Sequence, residues 1–265
     1  MLEYEPMIRL GAFAGMLVLM GSLESLFPRR ERRVGRLVRW PANFLILLLN
    51  TLAVRLLFPL AAVGFAALCA ERNVGMLNLL DLPAPLAVAT GMLLLDLAIY
   101  TQHVVFHRVD WLWRLHRMHH TDLDLDVTSG TRFHPVEMIL SMLIKLAVIG
   151  LTGAPAVAVL LFEVLLNAGA MFNHANVKLP RRLDSLLRTL IVTPDMHRVH
   201  HSVDRIETNS NFGFNLSIWD RVFRTYRAQP MLGHTGMTIG LSEYQGVEEQ
   251  RIGRMLLLPF TGSGG

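Results

Sequence analysis

The chain has 265 residues, of which 52% are apolar and 17% charged, and its formal charge is +4. Soluble domains usually hold about a quarter charged residues, so this balance points to membrane spans. The single cysteine, Cys69, excludes a disulfide framework and any cysteine-held zinc or iron–sulfur site.

Residues 7–27 are apolar, with Arg9 and Glu24 near the ends. A signal peptide has its charges before the apolar run and a small-residue cleavage site after it. Here the arginines follow the run, so a retained helix is expected. The basic stretch 29–40 holds Arg29, Arg30, Arg32, Arg33, Arg36 and Arg39, closed by Trp40. Both flanks are lipid-like, so it reads as a topology signal rather than a nucleic-acid site. Residues 42–70 form the longest apolar stretch, interrupted by Arg55 and Pro59. About 20 residues span a bilayer, so a tilted or kinked helix is expected. Residues 71–83 read as a loop, and 84–102 as a span carrying Asp96. Residues 138–152, which include Lys145, and 155–172 suggest a hairpin that enters the membrane and returns, with Gly150, Gly153 and Pro155 between them.

The positive-inside rule puts the 29–40 loop in the cytoplasm. Counting spans from there, the 71–83 loop is outside and the chain returns to the cytoplasm at His103. The hairpin keeps residues 173–265 on that side. Every histidine then lies on one face of the membrane.

All eleven histidines fall between 103 and 234. His103 and His107 are four apart. His116, His119 and His120 repeat the spacings three and four, as do His197, His200 and His201. Residues at these spacings share a helix face, so each box is expected to aim its imidazoles at a common point. Asp110 is a candidate cap for the helix of the second box, and Thr193 followed by Pro194 for that of the third. A lone histidine is usually a surface or core residue; eight in three boxes indicate a metal site, since neutral imidazole offers a lone pair. Eight imidazoles exceed what one ion can use, so two ions are implied. There is no His-Glu-x-x-His zinc motif and no Glu-x-x-His di-iron bundle motif. Spacing alone leaves zinc, copper, iron and nickel open.

The three boxes resemble those of the fatty acid hydroxylase/sterol desaturase superfamily. The likeness extends to Arg108, to Arg132-Phe133-His134-Pro135-x-Glu137 and to Asn173-His174. It continues through Asn211-Phe212-Gly213 and Trp219-Asp220-x-x-Phe223-x-Thr225, covering residues 92–227. It departs at Asn209, where the family often has aspartate, and at Arg224, where glycine is usual. The resemblance implies a non-haem di-iron centre that uses O2 to hydroxylate or desaturate a lipid or sterol-like substrate. Electrons would come from a separate ferredoxin- or cytochrome b5-like donor.

The expected fold is all-α: a membrane helical bundle with a cytoplasmic helical cap carrying the boxes. Residues 1–91 would form N-terminal spans and the basic loop, 92–227 the catalytic domain and 228–265 a C-terminal tail. The expected ligands are His103, His107, His116, His119, His120, His174, His197, His200 and His201. His134 is either a further ligand or a donor behind one, and His234 is expected at the surface. Asp96 lies on the helix face of His103 and is expected to orient a ligand, in preference to pairing with Arg55. Trp111 and Trp113 have the interfacial-belt explanation. Cleavage of an ether lipid at the same site is an alternative activity. A cytochrome b with haem-ligating pairs in mid-span and a non-enzymatic metal carrier are the alternatives from other classes. Scarce lysine beside many arginines favours a bacterial inner membrane.

Overall fold

The computed structural model describes residues 2–262, and it is all-α, with no β-sheet among the described residues. Five segments are long and apolar enough to cross a membrane: Leu2–Leu26, Arg36–Leu79, Ala84–Arg108, Pro135–Thr152 and Ala156–His174. This is an integral membrane protein.

Helix α1 (Glu5–Leu26) is followed by α2 (Arg36–Leu57), α3 (Ala61–Glu71) and the short α4 (Met76–Leu79). The stretch expected as one long helix is therefore two. Pro59 has no N–H to donate and disfavours helical backbone at the residue before it, so α2 stops at Phe58 and the chain restarts through Ala61 in a left-handed conformation. Helix α5 (Ala84–Arg108) runs on past its apolar stretch and carries the first histidine box at its end. Helix α6 (Asp110–His120) carries the second. Asp110 is its first residue rather than its cap; Val109 holds the cap position without a side-chain bond.

Helices α7 (Pro135–Thr152) and α8 (Ala156–His174) form the expected hairpin. At 1.5 Å per residue α7 is about 27 Å long, close to the thickness of a bilayer's hydrocarbon core. Its distal turn is closed by Gly153 against Gly75 in the α3–α4 turn. A Cβ on Gly75 would lie 2.2 Å from the Gly153 nitrogen, and both glycines have positive φ. The core between the spans joins Ala62, Ala66, Leu95, Ile149, Leu160 and Phe162. Leucines such as Leu10, Leu48, Leu56 and Leu165 point outwards, as lipid-facing residues do.

Three of the charged residues inside the spans, Arg9, Lys145 and Glu163, form one cluster. Glu163 of α8 accepts from Arg9 of α1 at 2.6 Å and from Lys145 of α7, and Arg9 also meets Glu5 at 2.8 Å. Lys145 is thus one member of a cluster that fastens three helices.

The remaining helices, α9 (Arg181–Leu187), α10 (Pro194–His200), α11 (Arg205–Thr208), α12 (Ile218–Val222), α13 (Gly233–Gly236) and α14 (Ile252–Leu257), form a cap with α6 and residues 121–134. A row on α2 holds that cap. Arg39 donates to Asp122 at 2.6 and 2.7 Å and to Asp126 at 2.7 Å, and all three side chains are fully buried. Asn43 donates to Thr128 at 2.9 Å and Asn50 to the Phe133 carbonyl at 2.9 Å. Glu24 at the end of α1 accepts N–H bonds from Val127 and Asn176, at 2.7 and 3.0 Å, and pairs with Arg36 at 2.9 Å. The basic stretch is therefore more than a topology signal. Residues 228–262 pack back on the cap: Gln250 donates to the Thr121 carbonyl at 2.9 Å, and Arg117 donates to those of Leu258 and Thr261.

Replacing Arg39 by Met should strand two buried carboxylates and cost about 3–5 kcal/mol, as breaking buried ion pairs does. Leu37→Ala on the exposed face of α2 should change stability by under about 0.5 kcal/mol. Thermal unfolding in detergent separates the two; equal melting temperatures would show that Arg39 is not a fastening point.

Candidate metal centre

The ends of α5 and α8, with α6 and α10, bring nine histidines together in two groups. One contains His103, His107, His116, His120 and His200; the other contains His119, His174, His197 and His201. Within each group the candidate ligand atoms all lie within 4.8 Å of one another. Eight of the rings are buried and His107 is partly so.

The second and third boxes do not each aim at one point, as the spacing suggested. A helix turns about 100° per residue, so the members three and four after the first diverge. His116 and His120 go to the first group and His119 to the second. In the third box His197 and His201 go to the second group and His200 to the first. The second and third boxes therefore serve both groups, whereas His103 and His107 serve only the first, and the two groups touch where His120 stacks on His201 at 4.5 Å.

Hydrogen bonds behind the rings decide what faces inward. His103 Nδ1 lies 2.7 Å from the Phe212 carbonyl, His174 Nδ1 2.6 Å from that of Ala170, and His200 Nδ1 2.8 Å from that of Ser210. His119 Nδ1 lies 3.2 Å from the Arg132 carbonyl, and His116 Nδ1 2.7 Å from Glu137 Oε1. Carbonyl and carboxylate oxygens only accept, so in the neutral rings each Nδ1 carries the proton and each Nε2 is a bare lone pair. Those lone pairs face one another. His103 and His116 Nε2 are 3.1 Å apart, and His119 and His174 Nε2 3.0 Å apart. No proton is available to either pair, and two lone pairs at that distance repel. A cation between them removes the repulsion, so the donor set fits metal ions and does not fit a hydrogen-bonded histidine network. His120, His197, His201 and His107 offer further buried ring nitrogens without a partner, as metal ligands would.

Five of the rings outside the spans are held neutral. Burial pulls His200 down to about 3, against the Ser210 carbonyl, which favours the charged form. Burial, reinforced by neighbouring imidazoles, holds His119, His120, His197 and His201 well below the usual range. Their lone pairs are free for a metal at neutral pH.

The loops that position these rings interlock. Thr193 caps α10 as expected, accepting from the Met196 N–H at 3.4 Å. Asp220 accepts from the N–H groups of Phe212 and Gly213 at 2.8 and 2.9 Å, and Asn211 donates to the Met196 carbonyl at 2.8 Å. That fixes the peptide whose carbonyl holds His103. A Cβ on Gly130 would lie 2.6 Å from the Ala170 carbonyl oxygen, so the loop after α6 reaches α8 only because this residue is glycine. Asp96 touches neither a histidine nor Arg55. It accepts from Trp219 Nε1 at 2.8 Å, Asn215 Nδ2 at 2.9 Å and the Leu216 N–H at 3.3 Å, so it holds the loop that in turn holds His103. Arg55 is exposed on α2. His134 lies outside both groups: Nδ1 caps α7 through the Val136 N–H, and Nε2 is 3.3 Å from the Leu256 carbonyl. His234 is buried rather than at the surface, 3.6 Å from Asp195. The Trp113 ring lies 4.8 Å from that of His107, so it walls the centre, whereas Trp111 is exposed.

The chain matches the profile described as Fatty acid hydroxylase across residues 88–225, just over half its length. The chain belongs to the fatty acid hydroxylase family. The matched region holds all nine clustered histidines. Among curated relatives, the ornithine lipid hydroxylase OlsE of Rhizobium tropici is 29% identical over 59% of this chain and 46% of its own. The alkylglycerol monooxygenase of Homo sapiens is 26% identical over 65% of this chain and 38% of its own, and that of Danio rerio is 28% identical over 58% and 34%. The chain thus spans less than half the length of these relatives. No solved structure matches it.

The role of Glu137 was not legible beforehand. It belongs to the family pattern, but only the fold sets its carboxylate on His116. Glu137→Gln should weaken metal binding about 10–100-fold, as loss of such supporting contacts does. His119→Ala should remove metal from the second group while the protein still inserts. Metal analysis of purified variants reads both, and full metal content in either would remove that residue from the centre.

Proposed function

We propose that this protein is a membrane-bound di-iron oxygenase that hydroxylates an unactivated C–H bond of a lipid. The observation that carries the reading is the pair of adjoining all-imidazole groups, with lone pairs facing inward, at the ends of lipid-exposed helices. The two relatives named for lipid hydroxylation and monooxygenation support it.

His103, His107, His116, His120 and His200 would hold one iron, and His119, His174, His197 and His201 the other. The irons would supply activation of O2 with electrons from a separate ferredoxin- or cytochrome b5-like donor. The protein's own part is to fix the rings through Glu137 and the four carbonyls, and to keep the imidazoles neutral. Burial of the rings, walled by Phe133, Phe212 and Trp113, excludes water. Phe133 stacks on His119 at 4.4 Å, and Phe212 lies 5.1 Å from His107. Asp96 acts behind this layer, through the 215–219 segment. His134 serves the start of α7.

A second reading rests on the alkylglycerol monooxygenase relatives: oxygen inserted beside an ether oxygen would cleave the lipid. Comparative lipid mass spectrometry of cells with and without the gene separates the two. Simple hydroxylation leaves the lipid whole with one added oxygen, whereas ether cleavage releases an aldehyde and a shortened lipid. No oxygenated or cleaved lipid, with iron-loaded protein present, would overturn both.

The orientation belongs to the same proposal, with the histidine face in the cytoplasm of a bacterial inner membrane. Arg29 and Arg30 lie on that face beside the cap they bind, and Arg36 pairs there with Glu24 at the end of α1, as the positive-inside rule requires. Reporter fusions after residues 125 and 215 should read cytoplasmic and one after residue 76 external. Any reversal refutes the assigned orientation.

A further inference from the structure

One face of the cap combines exposed apolar side chains with exposed cations. Leu183 and Leu186 of α9 and the following Leu190 point outwards, as do Ile218 and Val222 of α12 and the adjoining Phe223. Single exposed apolar residues are ordinary on a protein surface; a contiguous patch marks contact with another phase or partner. The segments that carry these six residues adjoin. The Ser217 N–H donates to the Leu190 carbonyl at 3.0 Å, and Arg221 donates to that of Arg188 at 2.6 Å, tying α12 to the end of α9.

Two contacts fix the level of this face against the membrane. The Phe223 ring stacks on Tyr100 at 5.3 Å, and Trp219 donates to Asp96. Both partners lie inside the spanning segment Ala84–Arg108. The patch therefore continues the lipid-facing surface of α5, where Leu93 is exposed.

Arg181, Arg182 and Arg224 flank the patch and are exposed. None forms an ion pair among the described residues. Arg224 has φ of +59°, a left-handed conformation that L side chains rarely adopt. The backbone there suits glycine better than arginine. Cations beside a lipid-facing apolar surface are matched by anionic lipid headgroups.

We propose that the α9–α12 face lies on the bilayer surface and binds anionic phospholipid headgroups through Arg181, Arg182 and Arg224. The apolar side chains enter the boundary of the acyl chains, and the guanidinium groups pair with phosphate.

The test uses the full chain in nanodiscs of phosphatidylcholine, with and without phosphatidylglycerol. Cys69 is buried and is the single cysteine, so a fluorophore sensitive to polarity can be placed at Leu186→Cys or Val222→Cys in a Cys69→Ala background. Adding phosphatidylglycerol should shift emission to the blue and at least halve quenching by a water-soluble quencher. Each arginine changed to Gln should raise the phosphatidylglycerol content needed for half the effect about fivefold. Arg→Lys changes should preserve it, which separates loss of charge from misfolding. Labels quenched equally in both discs and open to water would overturn the proposal. Equal shielding in neutral and anionic discs would also overturn it, leaving an apolar contact without headgroup recognition. Shielding that appears only on adding an acidic redox protein would assign the face to an electron donor instead.

Discussion

Facing pairs of imidazole nitrogens, each with its proton held on the far side of the ring, are the constraint around which the molecule is arranged. Neutral lone pairs about 3 Å apart in a water-poor site repel, and only a cation between them reverses the sign. Each ring must therefore be gripped from behind so that it cannot rotate or change tautomer. Four backbone carbonyls and Glu137 provide that grip. Those five acceptors lie in four segments, the loop before α7, α7 itself, α8 and the loop before α12, so the centre exists only when cap and spans are assembled together.

The membrane helices supply the assembly. Apolar helices in lipid gain little from burial against one another, because lipid tails are as apolar as their own side chains. Specific polar contacts must then set their register. Glu163 joins α1, α7 and α8 within the bilayer, and Glu24 joins the end of α1 to the segments after the second box and after His174. Arg39 with Asp122 and Asp126 fastens α2 beneath the loop that leads to Phe133. A buried ion pair contributes little net stability but is costly to break, which suits a contact whose work is to fix position.

The cap also carries a surface that faces the lipid. The segment from Phe212 to Phe223 supplies the carbonyl behind His103 at one end and stacks on the α5 span at the other. Metal-site geometry and contact with the bilayer thus share one loop. Asp96, in a span and bonded to no histidine, anchors its middle.

The sequence by itself determined the class of the protein. Composition marked the spans, and the spacings within His116–His120 and His197–His201 placed several imidazoles on short helices at one side of the membrane. The likeness of the motifs gave the family, because residues such as Asn211, Gly213 and Asp220 recur in a fixed order. Tertiary structure alone decided how the imidazoles divide, since two residues of one box can point to different groups when the helix turns about 100° per residue. It alone gave Asp96 its partners, because Asn215 and Trp219 lie more than a hundred positions along the chain. It decided that the basic stretch is in part a buried clamp, for a charge pattern carries no information about burial. Backbone carbonyls such as those of Ala170 and Ser210 have no sequence signal at all, since every residue has one and only folding chooses which of them meets a ring.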